Sequence, residues 1–535
     1  MSESESSPYT FSTADGGRTY TRTLYGFEAF CDSCASEADG LFFFAGSAAL
    51  HLAPAPTPPA LHSAIQSAWL ALRAAAPQVA CTTSFAPAPS HTWTYTYAVP
   101  SPGEAAAWAA ETLRWHGDGE EGTLQEHVDA LSETWWDPAR GAPALLLHVH
   151  PLCKADGRWL LTFQGPHGSL DGRGAFALFD HLCASLDALL APSPAPAAEL
   201  EWGAETALLA GAGAVLTGAF DAAAPVPARA APPPGFVPFF PPLTKTPAPA
   251  RVGLNRTLTL TPAQTAALRA TCKQHGRTVT QVVDAAFALA DVEAALLTAG
   301  LRGGEEREAV KGCFGGATHW VAALSFKDQR PAFPAHANVF GKEGSALFAV
   351  DGYDFVVDMD AIRGALKLNE AEGGAWKVER DVGEAFWGVV GACAEGSGRV
   401  QRDPAGYRAR EAAKHAQLPA MDPAPMAVRT GVTSSLGHVE ALGLLSSFTP
   451  SAAVGTSPSP SSAAVETSPA PAPKRVTVDA LHSVVRADLP LVLLLYWQYA
   501  GQLSFGFHTG AKWQTEAELG VLVDAFQGWV LALIE

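Results

Sequence analysis

The stretch from Gly157 to Leu190 constrains this chain more than any other. Gly157–Gln164 is a run of aromatic and aliphatic residues with strand character. Ala175–Leu190 places Phe176, Phe179, Leu182, Leu186 and Leu190 at helical spacing on one face. Between the two lies Pro166-His167-Gly168-Ser169-Leu170-Asp171-Gly172. A His and an Asp four residues apart are thus held in a turn between two elements that both need burial. The Asp falls at the start of the helix, where a carboxylate satisfies free backbone N–H groups. Rigid flanks hold a side chain in place as catalysis requires. Spacing alone leaves three readings. One is a surface loop with an Asp cap and an incidental His. Another is a metal pair, which needs further ligands and a helix phase that Gly168 breaks. The third is a general base whose loop the Asp locks, with glycines letting the backbone turn tightly.

Composition narrows the class. The 535 residues are 48% hydrophobic and 16% charged, with a net charge of -18. That is ample for a large core and long enough for more than one domain. The acidic balance argues against nucleic acid or an anionic membrane as a partner. The first residues lack the basic and apolar regions of a signal peptide. The most apolar run, Leu489–Trp497, is too short to span a bilayer and reads as a buried strand. A soluble cytoplasmic protein without a membrane span is expected.

The eight cysteines are scattered, which is no disulfide framework. Cys31 and Cys34 form a lone CxxC and read as two thiols in a reducing compartment, ahead of a redox or zinc pair. His148 and His150 share one face of a predicted strand. They read as core or edge histidines, with an approach to the 166–172 turn as the alternative.

Residues 222–250 are rich in Pro and Ala without any element period, and read as a crossover linker. They divide the chain into a lobe of residues 1–221 and a lobe of residues 251–535. A Ser/Pro/Ala segment at 449–474 reads as a surface insertion. Thr261 with Gln264, Thr278 with Gln281 and Thr515 with Glu518 are capping boxes that start three helices. Strands and helices alternate in both halves, an α/β pattern.

In this setting the HxxxDG pattern of His167, Asp171 and Gly172 resembles the active-site motif of the CoA-dependent acyltransferase superfamily. That superfamily includes chloramphenicol acetyltransferase, the plant BAHD acyltransferases and the condensation domains of peptide synthetases. Residues 68–80, 272–290 and 430–444 resemble, in the same order, stretches of its fungal members, the trichothecene 15-O-acetyltransferases and alcohol acetyltransferases. Arg22, Gly26 and Glu28 match features that precede the first strand there. The resemblance implies a two-lobed α/β fold, with mixed sheets flanked by helices and an active-site tunnel between the lobes.

It also implies a chemistry, that of secondary metabolism. An acyl group, expected to be acetyl, would pass from acyl-CoA to a hydroxyl of a small, largely apolar metabolite. His167 would be the general base, and Asp171 would hold the loop with Arg330 as its structural partner. Gly172, Ser434 and Ser435 would be substrate contacts. By residue type alone, Arg330 also fits a solvated loop, and two serines ahead of Gly437 also fit plain turn chemistry. No metal and no permanently bound cofactor are implied, and a monomer is expected. Pro166 departs from the second His that condensation domains often carry at that place. Two alternatives therefore stay beside this reading: a condensation-type enzyme using a carrier-protein thioester, and a non-catalytic binding member of the fold. The absence of a carrier or adenylation segment in the sequence disfavours the first.

Overall fold

The apolar run is a strand, Val492–Tyr499, with every residue buried. It can be buried on both faces because it lies inside a sheet, parallel to Gly431–His438 and antiparallel to Gln502–Gly510. The computed structural model describes residues 7–87, 89–192, 200–218, 220, 234–242, 252–334, 347–370, 376–401, 404–418, 431–450 and 474–535. Of the expected linker at 222–250, all but 234–242 lies outside these residues. So does the insertion at 449–474, except for its ends.

Three larger sheets carry the described fold, a mixed α/β architecture. The six-stranded one runs Gly253–Thr259, Gln502–Gly510, Val492–Tyr499, Gly431–His438, His319–Asp328 and Val350–Asp358. Against it packs Val279–Arg302, a long helix buried along most of its length and opened by the Thr278–Gln281 capping box. The boxes at Thr261 and Thr515 likewise start helices Pro262–Gln274 and Glu516–Ala532.

A five-stranded sheet positions the turn of interest. Its order is Val476–Val485, Phe43–Leu52, Arg158–Pro166, Leu146–Cys153 and Leu113–Trp115. The first of these strands comes from the second half of the sequence and pairs antiparallel with Phe43–Leu52. The two halves are therefore joined by a shared sheet. Residues 113–115 follow directly on helix Pro102–Thr112 and are this sheet's edge strand. Their parallel pairing with Leu147–Val149 overrides the local helical pattern.

Helix Gly172–Leu189 covers the sheet with Phe176, Phe179, Leu182 and Leu186, all fully buried. Each such side chain contributes about 1.5–3 kcal/mol of burial. Leu190, expected on the same face, is the C-cap and only half-buried.

The seam between the six-stranded sheet and Val476–Val485 is polar and buried. His482 Nε2 lies 2.9 Å from the Thr257 hydroxyl, and His508 Nδ1 donates to the Asn255 side-chain carbonyl at 2.9 Å. Burial pushes His482 down to about 4 and His508 down to about 3. Unfolding raises both towards about 6.5. Below that pH the unfolded chain takes up protons that the folded chain refuses, so stability falls as the pH drops from 6.5 towards 4. Each group contributes about 1.4 kcal/mol per pH unit over this window. Urea midpoints measured at pH 7 and pH 5 should fall accordingly, and His508→Gln should flatten the dependence. Equal midpoints would contradict the buried neutral state of the pair.

Candidate active site

The turn begins where strand Arg158–Pro166 ends, with Pro166 paired to Phe43 across the ladder. Ser169 N–H donates to the Pro166 carbonyl at 2.9 Å, which folds the chain back at once. His167 Nδ1 lies 2.8 Å from the Leu170 carbonyl. A carbonyl only accepts, so Nδ1 carries the hydrogen and the lone pair is left on Nε2. Phe44 stacks on the imidazole at 5.2 Å between ring centres, and Phe348 meets it edge-on at 6.1 Å. Burial drives the imidazole below its ordinary pKa against the opposing pull of the Leu170 carbonyl and the Asp171 charge. The ring is thus held neutral, with one fixed tautomer.

Asp171 does something different. It is 2% exposed and caps helix Gly172–Leu189 by accepting from the Gly174 N–H at 2.8 Å. Arg330 Nη2 donates to both of its oxygens at 2.7 and 2.8 Å, and the Ala349 N–H adds a bond at 2.8 Å. Its own N–H donates to the Leu347 carbonyl at 2.9 Å. Both carboxylate oxygens are thus occupied by groups other than the imidazole. Gly174 has no room for a side chain, because a Cβ would stand 2.2 Å from the Leu347 carbonyl oxygen. Arg330 is as buried as Asp171. Burial acts against its charge, but Asp171 and Asp328 more than offset that and hold its pKa up. Asp328 accepts from Arg330 at 3.0 Å and from Arg173 at 2.6 Å. The Arg330 and Arg173 guanidiniums in the cavity wall are therefore both committed to carboxylates.

A second support comes from below. Gly168 sits on helix Phe27–Glu37, where a Cβ would fall 2.4 Å from Asp32 Oδ1 and 2.5 Å from the Glu28 carbonyl oxygen. Burial, with the Glu28 charge beside it, pushes the Asp32 carboxyl well above the usual range. Glu28 itself forms a buried two-bond pair with Arg22 at 2.8 and 2.9 Å. Arg22 stacks over Tyr95 at 4.9 Å, and the Tyr95 hydroxyl bonds Ser169 at 2.8 Å.

His167 opens into a cavity of about 780 Å³, counted with its mouth and lined by both halves of the chain. Its walls are mostly apolar, with Phe27, Phe42, Phe44, Phe326, Leu493 and Leu495 among them. Asp171, Gly172, Arg330, Ser434 and Ser435 all reach this cavity, so the structure brings every sequence-predicted site residue to one place. Ser434 and Ser435 stand half-buried on strand Gly431–His438, and Ser435 accepts from the Thr280 hydroxyl at 3.3 Å. Gly172 packs against the Leu436 side chain. Sequence reasoning missed Phe44, Phe348, Leu347 and Ala349. Phe44 carries no signal apart from its strand, and the other three lie in a stretch without a motif. His148 and His150 do not line the cavity; they face His116 instead. Cys31 and Cys34 are buried, and burial raises both thiols, which leaves them protonated.

No family model matches the sequence, and no curated protein matches it significantly. Solved structures do match. Trichothecene 15-O-acetyltransferase from Fusarium sporotrichioides has a TM-score of 0.70 at 14% identity, covering 98% of this chain and 97% of that one. The first condensation domain of the calcium-dependent antibiotic synthetase, with a bound substrate analogue, gives 0.53 at 15% identity, with 96% of each chain covered. TRI101 of F. graminearum, complexed with coenzyme A and T-2 mycotoxin, gives 0.51 at 12% identity, covering 96% of this chain and 98% of that one. At these identities the likeness is one of fold. Among the described residues no helix is long and apolar enough to cross a membrane. Over nearly its whole length, this chain has the fold of the CoA-dependent acyltransferases and condensation domains.

Proposed function

We propose that the protein transfers an acyl group, acetyl in the first instance, from acyl-CoA to a hydroxyl of a small, largely apolar molecule. The observation that carries this reading is the state of His167: a neutral imidazole with Nδ1 tied to its own loop, lining an apolar cavity. Nε2 takes the hydroxyl proton as the oxygen attacks the thioester carbonyl carbon. The carbon–sulfur bond then breaks, and the imidazolium returns the proton to the departing CoA thiolate. The thioester is already activated, so holding the two substrates together in the cavity supplies much of the rate. The apolar walls favour an acceptor with few polar groups, and the Ser434 and Ser435 hydroxyls are polar contacts for it. Coenzyme A as the donor is supported by the neighbour that binds it. No metal takes part in these steps.

The test is release of free thiol from acetyl-CoA in the presence of a panel of alcohols, with acylated product identified by mass. Thiol release that depends on an alcohol supports the reading. Acyl transfer from a carrier-bound thioester but not from acetyl-CoA would replace it with the condensation-type alternative. No transfer from either donor would leave a binding role.

The pH profile is a further check. The base works only when neutral, and His167 sits below its ordinary pKa. The acid limb of kcat/KM should therefore lie below pH 6.5, the value of an unperturbed imidazole. A limb at or above that pH would contradict the burial of the base.

A further inference from the structure

Away from the cavity, three imidazoles converge at the edge of the five-stranded sheet. His148 and His150 project from the same face of strand Leu146–Cys153, and His116 directly follows the edge strand Leu113–Trp115. Each offers a ring nitrogen, and these three atoms all lie within 4.8 Å of one another. His116 Nε2 stands 3.3 Å from His148 Nδ1. Two nitrogens bound to one tetrahedral zinc at 2.0–2.1 Å are separated by about 3.3–3.4 Å, so this pair already has the required spacing. His150 stacks against His116 at 4.0 Å between ring centres.

The environment suits ligands better than a core. Among the described residues, Nε2 of His150 is buried without a hydrogen-bond partner. A nitrogen in that position carries a cost that a bond to metal would remove. His116 is exposed, which gives an ion a path from solvent.

We propose that His116, His148 and His150 bind one divalent transition-metal ion of the zinc class, with a water in the fourth position. Imidazole ligands favour Zn²⁺, Cu²⁺ and Ni²⁺ over Mg²⁺ or Ca²⁺. The rings now lie parallel to within 6°, so binding turns His150 until its nitrogen joins the other two. The ion ties residue 116 to the adjoining strand and stabilises the sheet edge. The site is separate from the acyl-transfer cavity, and the proposal does not rest on the function read there.

The experiment uses the full chain, free of any affinity tag and stripped by a chelator. It is titrated with Zn²⁺ by calorimetry and with Co²⁺ by visible absorption. The expected result is one equivalent of zinc, a rise in melting temperature on addition, and a tetrahedral Co²⁺ spectrum that zinc abolishes. His116→Gln removes an exposed ligand without disturbing the core and should weaken zinc binding at least about 10–100-fold, the loss that even outer-shell changes cause. His150→Gln should do the same. Circular dichroism of both metal-free variants establishes that they are folded. Failure of the parent protein to bind an equivalent of zinc overturns the proposal, as does zinc binding of parental strength in a folded His116→Gln, His150→Gln double variant.

Discussion

His167→Ala should lower kcat/KM for acyl transfer by about 10²–10⁴-fold, the usual contribution of a positioned general base. Stability should change little. The imidazole is neutral, its one polar tie is to the Leu170 carbonyl within its own turn, and its other face opens to the cavity. Removing it strands no buried charge. The strand, the helix cap and the Arg330 pairing all persist without it. The loss should therefore appear in kcat at an unchanged melting temperature. Added imidazole should restore part of the rate by occupying the space left against Phe44. His167→Gln, which keeps bulk and polarity but cannot take up a proton, should be as slow as the Ala variant. Near-parental turnover in a well-folded His167→Ala protein would remove the base from the mechanism, and the acyl-transfer reading would fall with it.

Much of this site was legible because its parts are local. A buried strand, a five-residue turn and an amphipathic helix lie within thirty or so consecutive residues, and each has its own period or cap. The capping boxes at Thr261, Thr278 and Thr515 were legible for the same reason. What escaped depends on partners distant in sequence. The Leu347 carbonyl and Ala349 N–H that clamp Asp171 are backbone groups, so no side chain advertises them. The family pattern singles out Arg22 and Glu28, but not that they pair or that the pair supports Ser169 through Tyr95. Nothing in the sequence of Val476–Val485 says that it completes a sheet begun more than 400 residues earlier. The three imidazoles meet for a related reason. His148 and His150 show the alternation of one strand face, whereas His116 arrives only through parallel pairing of 113–115 with 147–149.

Asp171 should prove a positioning residue, and its loss should be felt first in stability. Asp171→Ala deletes a helix cap and leaves the Arg330 guanidinium buried with only half of its carboxylate partners. Breaking a buried pair by removing one partner costs about 3–5 kcal/mol, and loss of a cap adds about 1 kcal/mol. Asp328 remains to Arg330, which places the expected total towards the lower end of that range. Arg330→Ala should be harmful in turn, although Asp171 would keep the Gly174 and Ala349 N–H groups. Removing both residues leaves neither stranded charge, so the double variant should lose clearly less than the sum of the single losses. Because the pair is buried, its coupling should be nearly insensitive to salt. Turnover should fall in each variant as the turn loosens and His167 drifts from its place. The measurement is a double-mutant cycle read in both unfolding free energy and kcat/KM. Strict additivity would reject Arg330 as the partner. Unchanged stability with abolished turnover in Asp171→Ala would instead put the carboxylate in the chemistry, since a group that acts only by holding the loop cannot lose the rate while the loop stays intact.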